Sequence, residues 1–429
     1  MFKDTSKEYA KKLDQKDSLS HYKDKFYIPD DTIYMDGNSL GLLSENAEKT
    51  TKRVIEEWKE MAINGWNDAE KPWFQYGEYL GDKLASLIGA KKEEVIVANS
   101  TTMNIHTLVA TFYNPNGKKK KIIMDELNFP SDIYAVKSLL STLGKDPVND
   151  LILIESRDNK TINENNIIKA MDKEEVALIL LPSVLFRSGQ LLDLELLTKE
   201  AHKRDILIGF DLAHSVGIIP HKLTENNIDF AMWCNYKYLN SGPGSSAGLY
   251  VNSKHFDKDP ALAGWFGCEN ETQFEMNLDF VSASDAGAWQ VGSPHILSSA
   301  PLEGSLEIYN EVGIKQIREK SLKLTSYLMF LIDKLISESP YNYKIGTPRE
   351  NYKRGGHVAV EHSEEAYRIN EALKSNGVIG DFRPPNIIRL APSPLYTSFK
   401  DVWKVVDHLK NIIDKEKYKE FSKKRSLVT

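Results

Sequence analysis

Cysteine is scarce in this 429-residue chain: there are two, Cys234 and Cys268. Two thiols cannot build a disulfide framework, nor by themselves a structural zinc site. Their scarcity fits a reducing compartment. Long apolar runs are missing too. The longest, at residues 176–181, falls far short of the ~20 residues that cross a bilayer. Residues 1–25 are charged throughout and lack an apolar core, so they do not read as a secretory signal. The expected location is the cytoplasm. There is no basic block either. The formal charge is −6, and the lysines at 118–121 lie between turn residues and an apolar strand, where a solvated loop accounts for them. Nucleic acid and membrane are therefore disfavoured as partners. No repeat or low-complexity segment occurs.

What remains is the composition of a globular protein, 41% hydrophobic and 27% charged. The length exceeds one ordinary core, so more than one domain is expected. Helical spacing of apolar residues predicts helices over 45–63 and 77–89. Then come short apolar strands at 94–98, 121–125, 151–154, 176–181, 206–211 and 230–235, with a helix over 192–204. Apolar strands alternating with helices predict an α/β fold, a mostly parallel sheet covered on both faces. From residue 302 the pattern changes to a long helix, 302–336, followed by strands at 356–361 and 387–391 and helices at 364–375 and 400–415. The expected division is an N-terminal arm with helices (1–65) packing on the small domain, a large domain (66–300), and a small α+β domain (301–429). The boundary falls in the Pro- and Gly-containing stretch 292–301.

In such sheets ligands sit beyond the carboxyl ends of the strands, so the residues there carry the chemistry. Asp211 ends one strand, with His214 three residues on. A carboxylate there can hold a protonated heterocyclic nitrogen, although a lone Asp is often a helix cap. Lys237 follows the next strand. An ammonium near a buried strand is costly, and an amine so placed is a nucleophile able to form a Schiff base; a lysine taken alone more often snorkels to solvent. Thr101 and Thr102 follow the 94–98 strand where a helix begins, which suits an anion such as phosphate. Phe129 follows the 121–125 strand and can cover an aromatic ring. Phosphate anchor, stacking aromatic, acid for a ring nitrogen and Schiff-base lysine, in that order, make a pyridoxal 5′-phosphate site.

The stretches MDGNSLG (35–41), NFPSD (128–132), GFDLAHSVG (209–217), WCNYKYLNSGPG (233–244), GWFG (264–267) and IRLAPSPLYTSF (388–399) then resemble the kynureninase family of fold-type I pyridoxal-phosphate enzymes. The resemblance runs from Tyr34 to about Leu409. It implies hydrolysis of L-kynurenine, and of its 3-hydroxy analogue, to anthranilate or 3-hydroxyanthranilate and L-alanine. It places the cofactor on Lys237, its pyridine nitrogen on Asp211, and its ring against Phe129 with His214 beside it. Pro130, Ser131 and Asp132 border it. Thr101, Thr102 and Tyr236 would hold the phosphate, with Trp265 and Ser293 closing it from a second subunit of a homodimer. Tyr236 is also the candidate acid. Arg389 would bind the substrate α-carboxylate, for which a guanidinium offers two parallel hydrogen bonds, and Arg187 competes for that role. Ser39 and Trp66 would face the substrate. Where relatives that prefer the 3-hydroxy substrate carry His and Asn, this chain has Trp66 and Ser293, which favours unhydroxylated kynurenine. The alternative within the fold is a cysteine desulfurase or selenocysteine lyase, for which Cys268 is the plausible loop thiol.

Overall fold

The computed structural model describes residues 2–424. A two-residue strand, β1 (Ile33–Tyr34), precedes the central sheet. The central strands are β2 (Val95–Val97), β3 (Lys121–Asp125), β4 (Leu151–Ile154), β5 (Val176–Pro182), β6 (Leu207–Asp211), β7 (Phe230–Cys234) and β8 (Ala247–Val251). Later come β9 (Lys344–Ile345), β10 (Val358–Glu361), β11 (Val378–Ile379), β12 (Asp381–Arg383) and β13 (Ile387–Leu390).

The central sheet has the order β2-β8-β7-β6-β5-β3-β4. Only β8 runs against its neighbours; the β3, β4, β5, β6 and β7 pairings are parallel. Side chains of a strand alternate between faces, and the core divides accordingly. Ile123, Ile179, Leu181, Phe210 and Trp233 pack on one face with the helices Tyr76–Ile88, Glu164–Met171 and Leu194–His202. Ile122, Met124, Leu178, Leu180 and Met232 pack on the other with Thr101–Phe112 and Pro130–Thr142. Both faces being covered, β5 and β7 need apolar residues almost throughout.

A third cluster holds the C-terminal sheet, of order β12-β13-β10-β9, against the helices Ile314–Leu335, Ala366–Ser375 and Phe399–Asp414. The N-terminal helix Lys7–Asp14 lies on this layer. Asp14 there accepts the free N–H groups of Phe399 and Lys400 at 2.7 and 3.0 Å. Helix N-termini leave such donors unpaired, and a carboxylate caps them.

The expected single helix over 302–336 is instead two, Ile296–Val312 and Ile314–Leu335. Gly313, at φ +80°, parts them, because a positive φ ends the helical path and only glycine takes it without strain. The first of the two starts inside the expected boundary stretch 292–301 and carries Pro301 within it. Both helices bury apolar residues at helical spacing, so periodicity runs through the break and conceals it.

Candidate active site

Strand ends β3, β6 and β7 converge on a cavity of about 220 Å³. It is lined by Ser39, Thr101, Thr102, Phe129, Ser131, Asp132, Asp211, His214, Tyr236, Lys237 and Arg389. These predicted residues come from six separate stretches of chain. Pro130 opens the helix Pro130–Thr142 at its first position, where its missing N–H costs nothing.

Lys237 follows β7 in a turn. Its Nζ is 3.2 Å from His214 Nε2 and 5.9 Å from the centre of the Phe129 ring. Burial, reinforced by the Lys237 and Arg389 cations, holds His214 well below the usual histidine range, so it is neutral. Its Nδ1 is buried without a hydrogen-bond partner among the described residues.

Asp211 closes β6 and accepts the Ala213 N–H at 2.7 Å. Burial pushes its carboxyl up, while Lys237, that N–H and Asp132 pull it back. Asp132 is pushed up further, by burial and then by the charge of Asp211, to which it is hydrogen-bonded. Two adjoining buried carboxyls cannot both ionise cheaply. Of the two, Asp132 is held further towards the protonated form.

At the other end of the cavity, Ser100 caps the helix Thr101–Phe112 by accepting the Met103 N–H. Thr101 Oγ1 is 3.1 Å from Cys234 Sγ, and Thr102 Oγ1 is 3.1 Å from Ser131 Oγ. Tyr236 stands beside Cys234, and burial raises its hydroxyl above the ordinary phenol range. A helix N-terminus fringed by hydroxyls is a place for an anion.

Arg389 is 1% exposed in the middle of β13. Its Nε donates to Asp381 Oδ1 at 2.6 Å, Nη2 to Ser39 Oγ at 2.9 Å and Nη1 to the Phe186 carbonyl at 2.9 Å. Arg187, half-buried next to that carbonyl, does not line the cavity. Ser39 is delivered by the 35–41 segment, which docks on the lysine turn: the Gly41 N–H donates to the Tyr236 carbonyl at 2.8 Å. A Cβ on Gly41 would come within 2.4 Å of the Lys237 carbonyl oxygen, so this contact demands glycine.

Three cavity or support residues escaped the sequence reasoning. Asn38 is fully buried with neither side-chain polar atom partnered among the described residues, and it lines the cavity. Arg383 also lines it, and Asp381 stands behind Arg389. Asn38 sits inside the MDGNSLG stretch, so a signal existed. Asp381 and Arg383 alternate on one face of a three-residue strand, too short to register as one.

Residues 317–409 match the model of the kynureninase C-terminal domain. The chain is 56% identical to the kynureninase of Geobacillus thermodenitrificans over 98% of its own length and 97% of that relative's. It is 54% identical to that of Shouchella clausii, over 99% and 98%. The chain belongs to the kynureninase family. Solved structures with the same fold include a cysteine desulfurase from Thermococcus onnurineus, with TM-score 0.77 and 17% identity over 92% of this chain and 98% of that one. Another is a C-DES mutant with glycine covalently linked to its pyridoxal-phosphate cofactor, with TM-score 0.76 and 14% identity over 91% and 99%. At such identity the likeness concerns the fold, which is that of the fold-type I enzymes.

The remaining positions that the family resemblance singled out lie elsewhere in this chain. Trp66 and Ser293 line a separate, larger cavity of about 810 Å³, with Trp58, Ile63, Trp73 and Leu297. Trp265 is 45% exposed, its indole N–H donating to the Gln273 carbonyl at 3.1 Å. Neither cavity has Cys268 in its wall. Its N–H is bonded back to the Trp265 carbonyl, and a bridge pairs it with Ser282. No helix of the described residues is long and apolar enough to cross a membrane.

Proposed function

We propose that this chain hydrolyses L-kynurenine to anthranilate and L-alanine, using pyridoxal 5′-phosphate held on Lys237. The observation that carries this is a single cavity into which an amine (Lys237), a buried carboxylate (Asp211) and a buried guanidinium (Arg389) all project. The residues fit the cofactor. An ionised Asp211 suits a protonated pyridine nitrogen, Phe129 offers a ring face, and the hydroxyl-fringed helix start at Thr101 suits the phosphate. The unpaired His214 Nδ1 and Asn38 amide are polar groups that burial leaves in need of a ligand.

When bound, pyridoxal phosphate supplies an electron sink that lets the substrate's Cβ–Cγ bond break. The protein does the rest. Arg389 receives the α-carboxylate and so fixes which bond faces the cofactor. Lys237 moves a proton at the substrate α-carbon, with the His214 imidazole in contact with its amine. Asp132, the more readily protonated of the pair, leaves Asp211 to carry the charge. Tyr236, beside the hydroxyl cluster, donates to the alanine-forming carbon. The walls of the cavity limit the water that reaches these groups.

A homodimer goes with this reading, because Trp66, Trp265 and Ser293 are remote from Lys237 in one chain and would complete the site from a second copy. Trp66 offers few hydrogen-bond partners, so unhydroxylated kynurenine is the preferred substrate. The two free cysteines support the cytoplasm as location.

The test is anthranilate fluorescence after mixing cofactor-loaded protein with L-kynurenine, with 3-hydroxykynurenine followed in parallel by chromatography. Anthranilate and alanine in equal amounts are expected, with the unhydroxylated substrate faster. No product from either, while the bound cofactor's absorption persists, overturns the substrate assignment.

A further inference from the structure

A guanidinium carries five N–H groups arranged along two usable edges. In Arg389 the Nε/Nη2 edge is taken by Asp381: Nε donates to Oδ1 at 2.6 Å and Nη2 to Oδ2. The Nη1/Nη2 edge faces Ser39 Oγ and the Phe186 carbonyl, both at 2.9 Å. Ser39 and Arg389 share the wall of the Lys237 cavity. The rear edge thus meets a charged acceptor that belongs to the fold. The front edge meets two neutral acceptors, which a carboxylate outcompetes because charge-assisted hydrogen bonds are about twice as strong.

Backbone register sets this arrangement. Strands β12 and β13 are antiparallel, and Asp381 lies directly opposite Arg389. Side chains at such positions meet across the strands. Arg383, two residues along β12 and on the same face, donates from Nη2 to Asp381 Oδ2 at 2.6 Å. One carboxylate thereby separates two cations at the rim of the cavity. Without it, Arg389 would be repelled by Arg383 and free to turn.

We propose that Asp381 is the positioning residue that turns the Nη1/Nη2 edge of Arg389 towards the substrate's α-carboxylate. This rests on the reading of Arg389 as the carboxylate ligand. It assigns Asp381 no contact with substrate; its effect passes through the orientation of Arg389. Ligands that carry the carboxylate therefore depend on Asp381, and ligands that lack it do not.

The experiment uses the cofactor-loaded enzyme and two small amines, L-alanine and L-alaninamide, which differ only at the carboxyl group. Their binding is read from the change in the cofactor's absorption. In the wild type L-alanine binds more tightly. In Asp381→Asn the amide cannot satisfy both rear N–H groups, and the preference for L-alanine falls ~10-fold or more while L-alaninamide binding stays within about twofold. KM for L-kynurenine rises by a similar factor, with kcat changed less than about threefold. Asp381→Glu keeps the charge but displaces it, and lowers the preference about threefold; it serves if the asparagine variant does not fold. Equal weakening of both ligands, or an unchanged preference in both variants, overturns the proposal and leaves Asp381 a structural residue. A wild type with no preference for L-alanine removes Arg389 from carboxylate binding, and with it both readings.

Discussion

Two of the molecule's cavities are built on opposite terms. The one at Lys237 is small and lined from six stretches of chain, with Asp132, Asp211, His214, Tyr236, Lys237 and Arg389 among its ionisable groups. The one at Trp66 is nearly four times larger, walled by Trp58, Ile63, Trp66, Trp73, Ile296 and Leu297. Its rim stays in water: Trp58 is 58% and Ile63 74% exposed. Buried charge is tolerated in the first because each group has a partner or awaits a ligand. Exposed tryptophan beside exposed isoleucine in the second is what a surface awaiting another apolar surface looks like.

That contrast can be attacked at several points. The largest effect belongs to Lys237→Ala, which should lower kynurenine turnover ~10⁴-fold or more. Borohydride should then fail to fix the cofactor; a reducible adduct on another lysine would remove Lys237 from its role. Arg389→Ala should raise KM for L-kynurenine ~100-fold, since it strips a buried charge pair from the substrate, with cofactor affinity nearly unchanged. Steady-state kinetics and cofactor titration separate the two.

The apolar cavity predicts smaller numbers. Ile63→Asp together with Trp58→Asp should weaken self-association ~30-fold or more, read by sedimentation. A wild type that is monomeric yet fully active would break the comparison. Trp66→His supplies a ring nitrogen for a substrate hydroxyl and should move the 3-hydroxykynurenine to kynurenine rate ratio up ~10-fold. Unchanged ratios would mean that Trp66 lines nothing the substrate touches.

The smallest effect lies outside both cavities. Burial pushes Glu78 up to about 7, above its ordinary 4.5. A raised carboxyl favours the folded state below pH 4.5, and that advantage fades as pH rises through 7. Glu78→Gln should therefore match the parent near pH 4 and exceed it by about 2 kcal/mol at pH 8 in urea unfolding. A constant difference across pH would exclude Glu78 as the cause.

How much of this was written in the sequence depends on the range of the interaction. Asp211 and Lys237 were legible because each follows a short apolar run, and the topology of a parallel sheet then brings strand ends together. The central strands were legible for the same reason: residues 121–125 and 151–154 form β3 and β4 with the predicted bounds. Arg389 stood out as a charge within an apolar strand. Its partner did not, because Asp381 reaches it only through an antiparallel register that no local pattern announces. Gly313 was visible but indistinguishable from a tolerated helical glycine until its φ was known. Trp66 and Ser293 carried a family signal, yet nothing local told which cavity they would line.

The docking of the 35–41 segment has a consequence for how the protein comes into being. Ile33 pairs with Val378, and the Ala391 N–H donates to the Met35 carbonyl at 2.7 Å, while Gly41 rests on the lysine turn. The first strand to leave the ribosome must therefore wait for one of the last. A nascent chain can complete the central sheet at residue 251 and still hold a lysine without a floor or a guanidinium opposite it. Contacts of such sequence separation form late. Cofactor capture in its final geometry is thus an event of the finished polypeptide, since a chain that ends before residue 389 lacks Arg389 and the strand that carries it.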